Sequence, residues 1–201
     1  MRSIGITGGV GAGKSEVLAY IKTHYNCLVI LADEVAHELE KPGQECYNEL
    51  TALLGRGILA PDGTIDRQRM AAEIFADRAV LDQVNEIVHP AVKAFIIQKI
   101  RAEKESAEYD FLFVEAALLI EGGYEEILDE LWYIHTDADI RRERLKASRA
   151  YSDEKIDQIL QRQLSEEAFR AHCRVIIDNS SDFMSACKQI DMKLEEYLCQ
   201  R

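Results

Sequence analysis

Residues 8 to 15 read Gly8-Gly9-Val10-Gly11-Ala12-Gly13-Lys14-Ser15, a complete G-x-x-x-x-G-K-[ST] string, and they follow an apolar stretch, Ile4 to Ile6, suited to a first strand. A glycine-rich turn lets backbone N–H groups wrap a polyphosphate because no Cβ blocks the approach. The helix that follows offers its unpaired amides and positive dipole end to the same anion. The string therefore predicts a strand, a phosphate loop and a helix in that order, with Gly9, Val10, Gly11, Ala12, Gly13, Lys14, Ser15 and Glu16 around a nucleotide. In this pattern Lys14 reaches the β- and γ-phosphates and Ser15 ligates Mg²⁺.

The remaining apolar runs extend this start into an α/β fold. Cys27–Leu31, Phe111–Val114, Leu131–Ile134 and Val175–Ile177 are short and separated by helical stretches, so five parallel strands are expected. A chain of 201 residues builds one such core with helical insertions more readily than two independent domains. About eighty residues between the second and third strands exceed what a crossover needs and predict a helical insertion. Within it, a helix over Gln44–Leu54 is followed by the turn Pro61-Asp62-Gly63 and a helix capped by Asp66. Val80, Leu81, Val84, Ile87, Val88, Ala91, Val92 and Phe95 then recur at helical spacing. Pro90 interrupts that stripe, and the expectation is one helix ending near Val88 and another starting at Pro90.

A net charge of -12 and a pI near 4.9 argue against a nucleic-acid surface, because phosphate backbones are held by arrays of Lys and Arg. The basic residues that are present gather between Asp139 and Arg174, namely Arg141, Arg142, Arg144, Lys146, Arg149, Arg162, Arg170 and Arg174. Two readings stand: a solvated pair of helices balanced by Glu143, Asp153, Glu154, Glu166 and Glu167, or an arginine-bearing lid that excludes water from phosphoryl transfer. Five cysteines without a C-x-x-C pair suggest reduced thiols. The strand begins within three residues of Met1, so a signal-peptide layout is not expected, and no apolar run approaches the roughly 18 residues of a membrane span. A cytoplasmic protein without a membrane partner is expected.

Other candidate site residues sit at predicted strand ends. Asp33 closes the second strand at the sheet's carboxyl edge, where ligands of open α/β sheets bind, and it also suits the N-cap of a helix over Glu34–Glu40. Glu115 ends a four-hydrophobe-plus-acid strand and either positions Mg²⁺ through water, organises the acceptor site or pairs structurally. Glu121 points to the acceptor pocket in this topology, and His89 stands out by preceding a proline. No lysine is preceded by asparagine, so the guanine-reading N-K-x-D motif is missing. These features together indicate a small-molecule kinase; another acceptor kinase and a nucleotide-binding regulatory module are the alternatives.

In order and spacing, Gly5-Ile6-Thr7 with the loop, Ala32-Asp33, Pro42-Gly43, Asp62-Gly63, His89-Pro90, Leu118-Leu119-x-Glu121 and Ile177-Asp178-Asn179 resemble the dephospho-CoA kinase family over nearly the whole chain. The resemblance implies ATP-dependent phosphorylation of the ribose 3′-hydroxyl of dephospho-CoA. It implies a core over 1–40, 106–138 and 175–201, an acceptor-binding insertion over 41–105 and a lid over 139–174, within one kinase unit for which a monomer is favoured. By the same resemblance Asp33 orients and deprotonates the acceptor hydroxyl, Arg149 is the lid arginine on the phosphates, and Asn179 contacts the ATP base. His89 falls in the segment that faces the acceptor, and Gln163 is a lid glutamine. The chain departs from the family pattern at Leu31, where the first acid of D-A-D is missing, at Glu16 in place of threonine, and at Ala117 in place of proline.

Overall fold

The computed structural model describes residues 1–200, the side chain of Ala76 excepted. In chain order the elements are β1 (Arg2–Thr7), α1 (Lys14–His24), β2 (Cys27–Leu31), α2 (Ala32–Leu39), α3 (Glu45–Leu54), α4 (Arg67–Ala76) and α5 (Arg78–Ser106). They continue as β3 (Phe111–Glu115), β4 (Glu130–His135), α6 (Ala138–Arg149), α7 (Asp153–Gln161), α8 (Glu166–His172), β5 (Val175–Asp178) and α9 (Phe183–Cys199). All five expected strands form, and the sheet runs β2-β3-β1-β4-β5. The chain divides into two compact units, Met1–Val29 with the segment from Glu103 onward, and Ile30–Ala102.

In the first unit β1 is the centre, parallel to β3 with Ile4 opposite Phe113 and parallel to β4 with Ile6 opposite Trp132. Strand β4 in turn is parallel to β5, with Ile134 opposite Ile177. Successive residues of β1, β3 and β4 are buried whichever way their side chains point, so both faces of the sheet are covered, as a parallel sheet requires. The order of connections reverses at β1, so the segment leaving its carboxyl end, residues 8–13, occupies the topological switch point. Helix α1 is fastened to α9 by the hydroxyls of Tyr20 and Tyr25, which donate to the Asp191 carboxylate at 2.8 and 2.7 Å.

The second unit is mainly helical, and its own core gathers Cys46, Leu50 and Val84 with Leu39, Leu53, Met70, Ile74 and Ile87 around them. Asp66 caps α4 as expected, accepting from the amides of Gln68 at 3.0 Å and Arg69 at 3.2 Å. The Asp62-Gly63 turn closes with the Gly63 amide donating to Ala60 and the Thr64 hydroxyl donating to Asp62.

Three expectations are corrected here. Helix α5 runs through Pro90 without a break. Proline removes the bond to the Glu86 carbonyl, but Glu86 and Pro90 are both exposed, so water can take that carbonyl while buried Val84, Val92, Ile96 and Ile100 keep one apolar stripe. His89 is consequently an exposed residue inside a helix. Asp33 is not an N-cap: α2 starts directly off β2 at Ala32 because Ala32 and Val35 are both buried, and this puts Asp33 in the first turn. The basic segment forms three short helices rather than a pair.

Two stability outcomes follow. Pro90→Ala should raise the unfolding free energy by about 1–3 kcal/mol, read from denaturant melts, since proline inside a helix costs about 3 kcal/mol; a loss of stability would contradict an uninterrupted α5. Asp66→Ala should cost about 1 kcal/mol while Asp66→Asn keeps most of the cap, and equal losses would assign the effect to the Arg69 ion pair instead.

Candidate active site

The loop between β1 and α1 is shaped by groups that hold its carbonyls from outside. The Lys14 ammonium donates to Gly8 O at 2.8 Å, the Arg141 Nε donates to Val10 O at 3.0 Å, and the Asn179 amide donates to Ala12 O at 2.9 Å. The buried Thr136 hydroxyl lies 3.1 Å from the same Ala12 oxygen. In a trans peptide the C=O and the next N–H point in opposite directions, and the chain has no cis bond. Holding the Val10 and Ala12 carbonyls thus turns the Gly11 and Gly13 amides away from the side chains that hold them. The Ala12 amide closes a turn onto Gly9 O at 3.1 Å, while the Gly11 and Gly13 amides have no protein acceptor among the described residues. Free amides at the start of a helix offer a cradle to an anion.

Glycine is required at two loop positions for different reasons. A Cβ on Gly8 would lie 2.6 Å from the Ile134 carbonyl oxygen, which is backbone and cannot step aside. Gly13 has φ 87° as the residue before α1, and a Cβ there would run into the Asn179 amide nitrogen. Ser15 and Glu16 are exposed in the first turn of α1. Glu115 stands 3.8 Å from the Lys14 ammonium, both side chains less than a quarter exposed, so β3 supplies the lysine's carboxylate.

Within the basic segment some residues are paired with acids and two lie against the loop. Arg142 reaches Asp153 at 3.0 Å and Asp157 at 2.5 Å, Lys146 reaches Asp153 at 2.7 Å, and Arg170 reaches Glu166 at 2.7 Å. Those bonds from Lys146 and Arg142 hold Asp153 below the usual carboxylate range, so these charges are already balanced. Arg141 and Arg144 have no carboxylate partner among the described residues, and both lie against the loop. Arg144 donates to Asn179 O at 3.0 Å and keeps a buried nitrogen without a hydrogen bond. Burial alone lowers the Arg141 pKa from its ordinary value, and Gln163 accepts from its guanidinium.

Several expected site residues are thus brought together: the loop, Lys14, Glu115, Asn179 and Gln163. Asn179 is fully buried, and its amide is used on the loop rather than left open toward a base. Arg149 is not against the loop; it is exposed at the end of α6, its guanidinium 5.9 Å from the Tyr151 ring centre. Glu121 is exposed in the turn after β3. Asp33 and His89 lie in the second unit, both exposed, and Asp33 has no hydrogen bond or ion pair among the described residues. Sequence reasoning missed Thr136 and the particular roles of Arg141 and Arg144. Buried Leu145 was the available signal, since residues three and four apart share a helix face and Arg141 stands four before it.

The cradle suits a polyphosphate, and the exposed Ser15 hydroxyl suits one ligand of a hydrated Mg²⁺. No group of three or more His, Cys, Asp or Glu among the described residues forms a dedicated metal cage. Such a site agrees with Mg²⁺ held chiefly by phosphate oxygens and water. Among the described residues no helix is long and apolar enough to cross a membrane.

Comparison with known proteins names the chemistry. The family model described as dephospho-CoA kinase matches residues 2–185. A dephospho-CoA kinase of Geobacter sulfurreducens is 33% identical over 201 residues, covering 100% of this chain and 99% of the relative. One from Thermobifida fusca is 33% identical over 180 residues, covering 90% and 88%. Among solved structures, TT1252 from Thermus thermophilus superposes with a TM-score of 0.77 at 26% identity, covering 97% of each chain. The dephospho-CoA kinase of Campylobacter jejuni gives 0.74 at 20% identity over 98% and 97%, a likeness of fold. A phosphate loop on a parallel sheet, a matching family model and full-length relatives converge on a kinase that transfers phosphate to a hydroxyl acceptor, and the chain belongs to the dephospho-CoA kinase family.

Proposed function

We propose that this chain transfers the γ-phosphoryl group of Mg·ATP to the ribose 3′-hydroxyl of dephospho-CoA, giving coenzyme A and ADP in the last step of CoA synthesis. The observation that carries the ATP reading is the cradle itself: the Val10 and Ala12 carbonyls held by Arg141 and Asn179, with no acceptor for the Gly11 and Gly13 amides among the described residues. Those amides and the start of α1 hold the polyphosphate. Ser15 provides the protein ligand to Mg²⁺, which when bound withdraws charge from the phosphate oxygens.

Lys14 carries the charge that follows the transferred group. Its ammonium waits beside the loop on the Gly8 carbonyl, with Glu115 at 3.8 Å to keep it there. Arg144, with a buried nitrogen lacking a protein acceptor, has the hydrogen-bonding capacity for nucleotide oxygens, a role the family likeness had suggested for Arg149. Asp33 accepts the hydrogen bond of the acceptor hydroxyl and aligns it for in-line attack; its exposed, unpartnered carboxylate supports that role. In a loose transition state orientation matters more than early proton removal. The helical unit Ile30–Ala102 supplies Asp33 and His89 and is assigned to the acceptor, while α6 to α8 are assigned to the lid. The family chemistry supports a cytoplasmic enzyme acting on a small molecule.

Single-turnover rates with Mg·ATP and dephospho-CoA test these roles. Lys14→Ala should lower the rate about 10²–10³-fold, the range for removing a preorganised donor from developing charge. Asp33→Asn should cost less, about tenfold, because the amide still orients the hydroxyl. Equal losses would make Asp33 an obligate base, and ADP release that ignores dephospho-CoA would reject the acceptor.

A further inference from the structure

We propose that Arg141 is a positioning residue for the nucleotide: it sets the Val10–Gly11 peptide so that the Gly11 amide faces the bound polyphosphate, and Gln163 holds it in that pose. The inference rests on the phosphate loop as the nucleotide site and adds a residue that acts on it from outside. Four observations meet at this side chain. Its Nε donates to Val10 O at 3.0 Å. Its guanidinium also donates to Gln163, from the segment between α7 and α8. It covers Gly9 so closely that a Cβ there would overlap the guanidinium. Finally, no carboxylate pairs with it among the described residues, although Arg142 and Lys146 on the same helix are paired with Asp153 and Asp157.

The geometry explains why an arginine is suited to this place. A planar fork offers one nitrogen to the loop and another to Gln163 without bending, whereas a lysine has a single ammonium at the end of a flexible stem. The peptide plane does the rest, since fixing Val10 O fixes the direction of Gly11 N–H. Desolvating a cation without a counter-ion is unfavourable in the empty protein, and a polyphosphate near the loop supplies the missing negative charge. Arg141 thereby contributes to nucleotide affinity more than to the fold.

Equilibrium binding of Mg·ADP by calorimetry, with thermal unfolding in the presence and absence of the nucleotide, separates the possibilities. Arg141→Ala should weaken Mg·ADP about tenfold, the loss expected when one charge-assisted hydrogen bond no longer fixes the cradle, and should leave the nucleotide-free unfolding midpoint unchanged or higher. Arg141→Lys should lose as much, and Gln163→Ala about threefold in the same direction. Full affinity in Arg141→Lys would overturn the proposal in favour of charge alone. A lower nucleotide-free midpoint with an undiminished ADP-induced shift would also overturn it, making Arg141 a structural strap. A wild-type chain that binds no Mg·ADP would reject the nucleotide site itself and the inference with it, a failure distinct from that of the variants.

Discussion

The grip on the Ala12 carbonyl is the contact from which the rest of the site is built. Asn179 donates to it from the end of β5, and Thr136 lies beside it from the end of β4, so two strands of the sheet meet on one peptide of the loop. That meeting depends on strand order: β4 stands between β1 and β5 in parallel register, which brings all three carboxyl ends to one edge. Asn179 also bears its neighbours' load, its backbone amide donating to His135 O at 2.8 Å and its carbonyl accepting from Arg144. A buried side-chain network of this kind is stable only when its members are satisfied, and the unpartnered Asn179 Oδ1 and Arg144 nitrogen are its open valences.

Electrostatics had to be solved locally in a chain of net charge -12 that binds a polyanion. Helix α6 does so by sorting its faces. The outer face carries Arg142 and Lys146, matched to acids of α7, and pairs of that exposed kind contribute little to stability. The inner face carries Arg141, Arg144 and Leu145, with Leu145 packed 3.1 Å from the position a Gly11 Cβ would take. Arg141 and Arg144 lie against the loop with no acid partner among the described residues. The number of arginines in the segment says less about function than which of them lie against the loop.

Much of this was legible in the residues. The strands, the phosphate loop and the Asp66 cap follow from short-range rules in which a few neighbours decide the outcome. Pro90 misled because its rule concerns one hydrogen bond, whereas α5 is held by an apolar stripe extending well to either side, from Val84 to Ile100. Asp33 misled in a similar way: it is a good capping residue, but burial of Ala32 started the helix two residues earlier. Asn179 and Arg141 show the other limit. Their partners, Ala12 and Val10, are more than a hundred residues away, and only the folded sheet reveals that an asparagine and an arginine work on backbone carbonyls.

The central claim is that the loop is wired, before any nucleotide arrives, so that the Gly11 and Gly13 amides face the phosphate. Residue-resolved amide exchange by NMR tests it most directly, on the protein alone and with saturating Mg·ADP. The account predicts that both amides exchange freely in the nucleotide-free chain, having no protein acceptor, and become protected when Mg·ADP binds. Amides already protected without nucleotide, or left unprotected with it, would contradict the account.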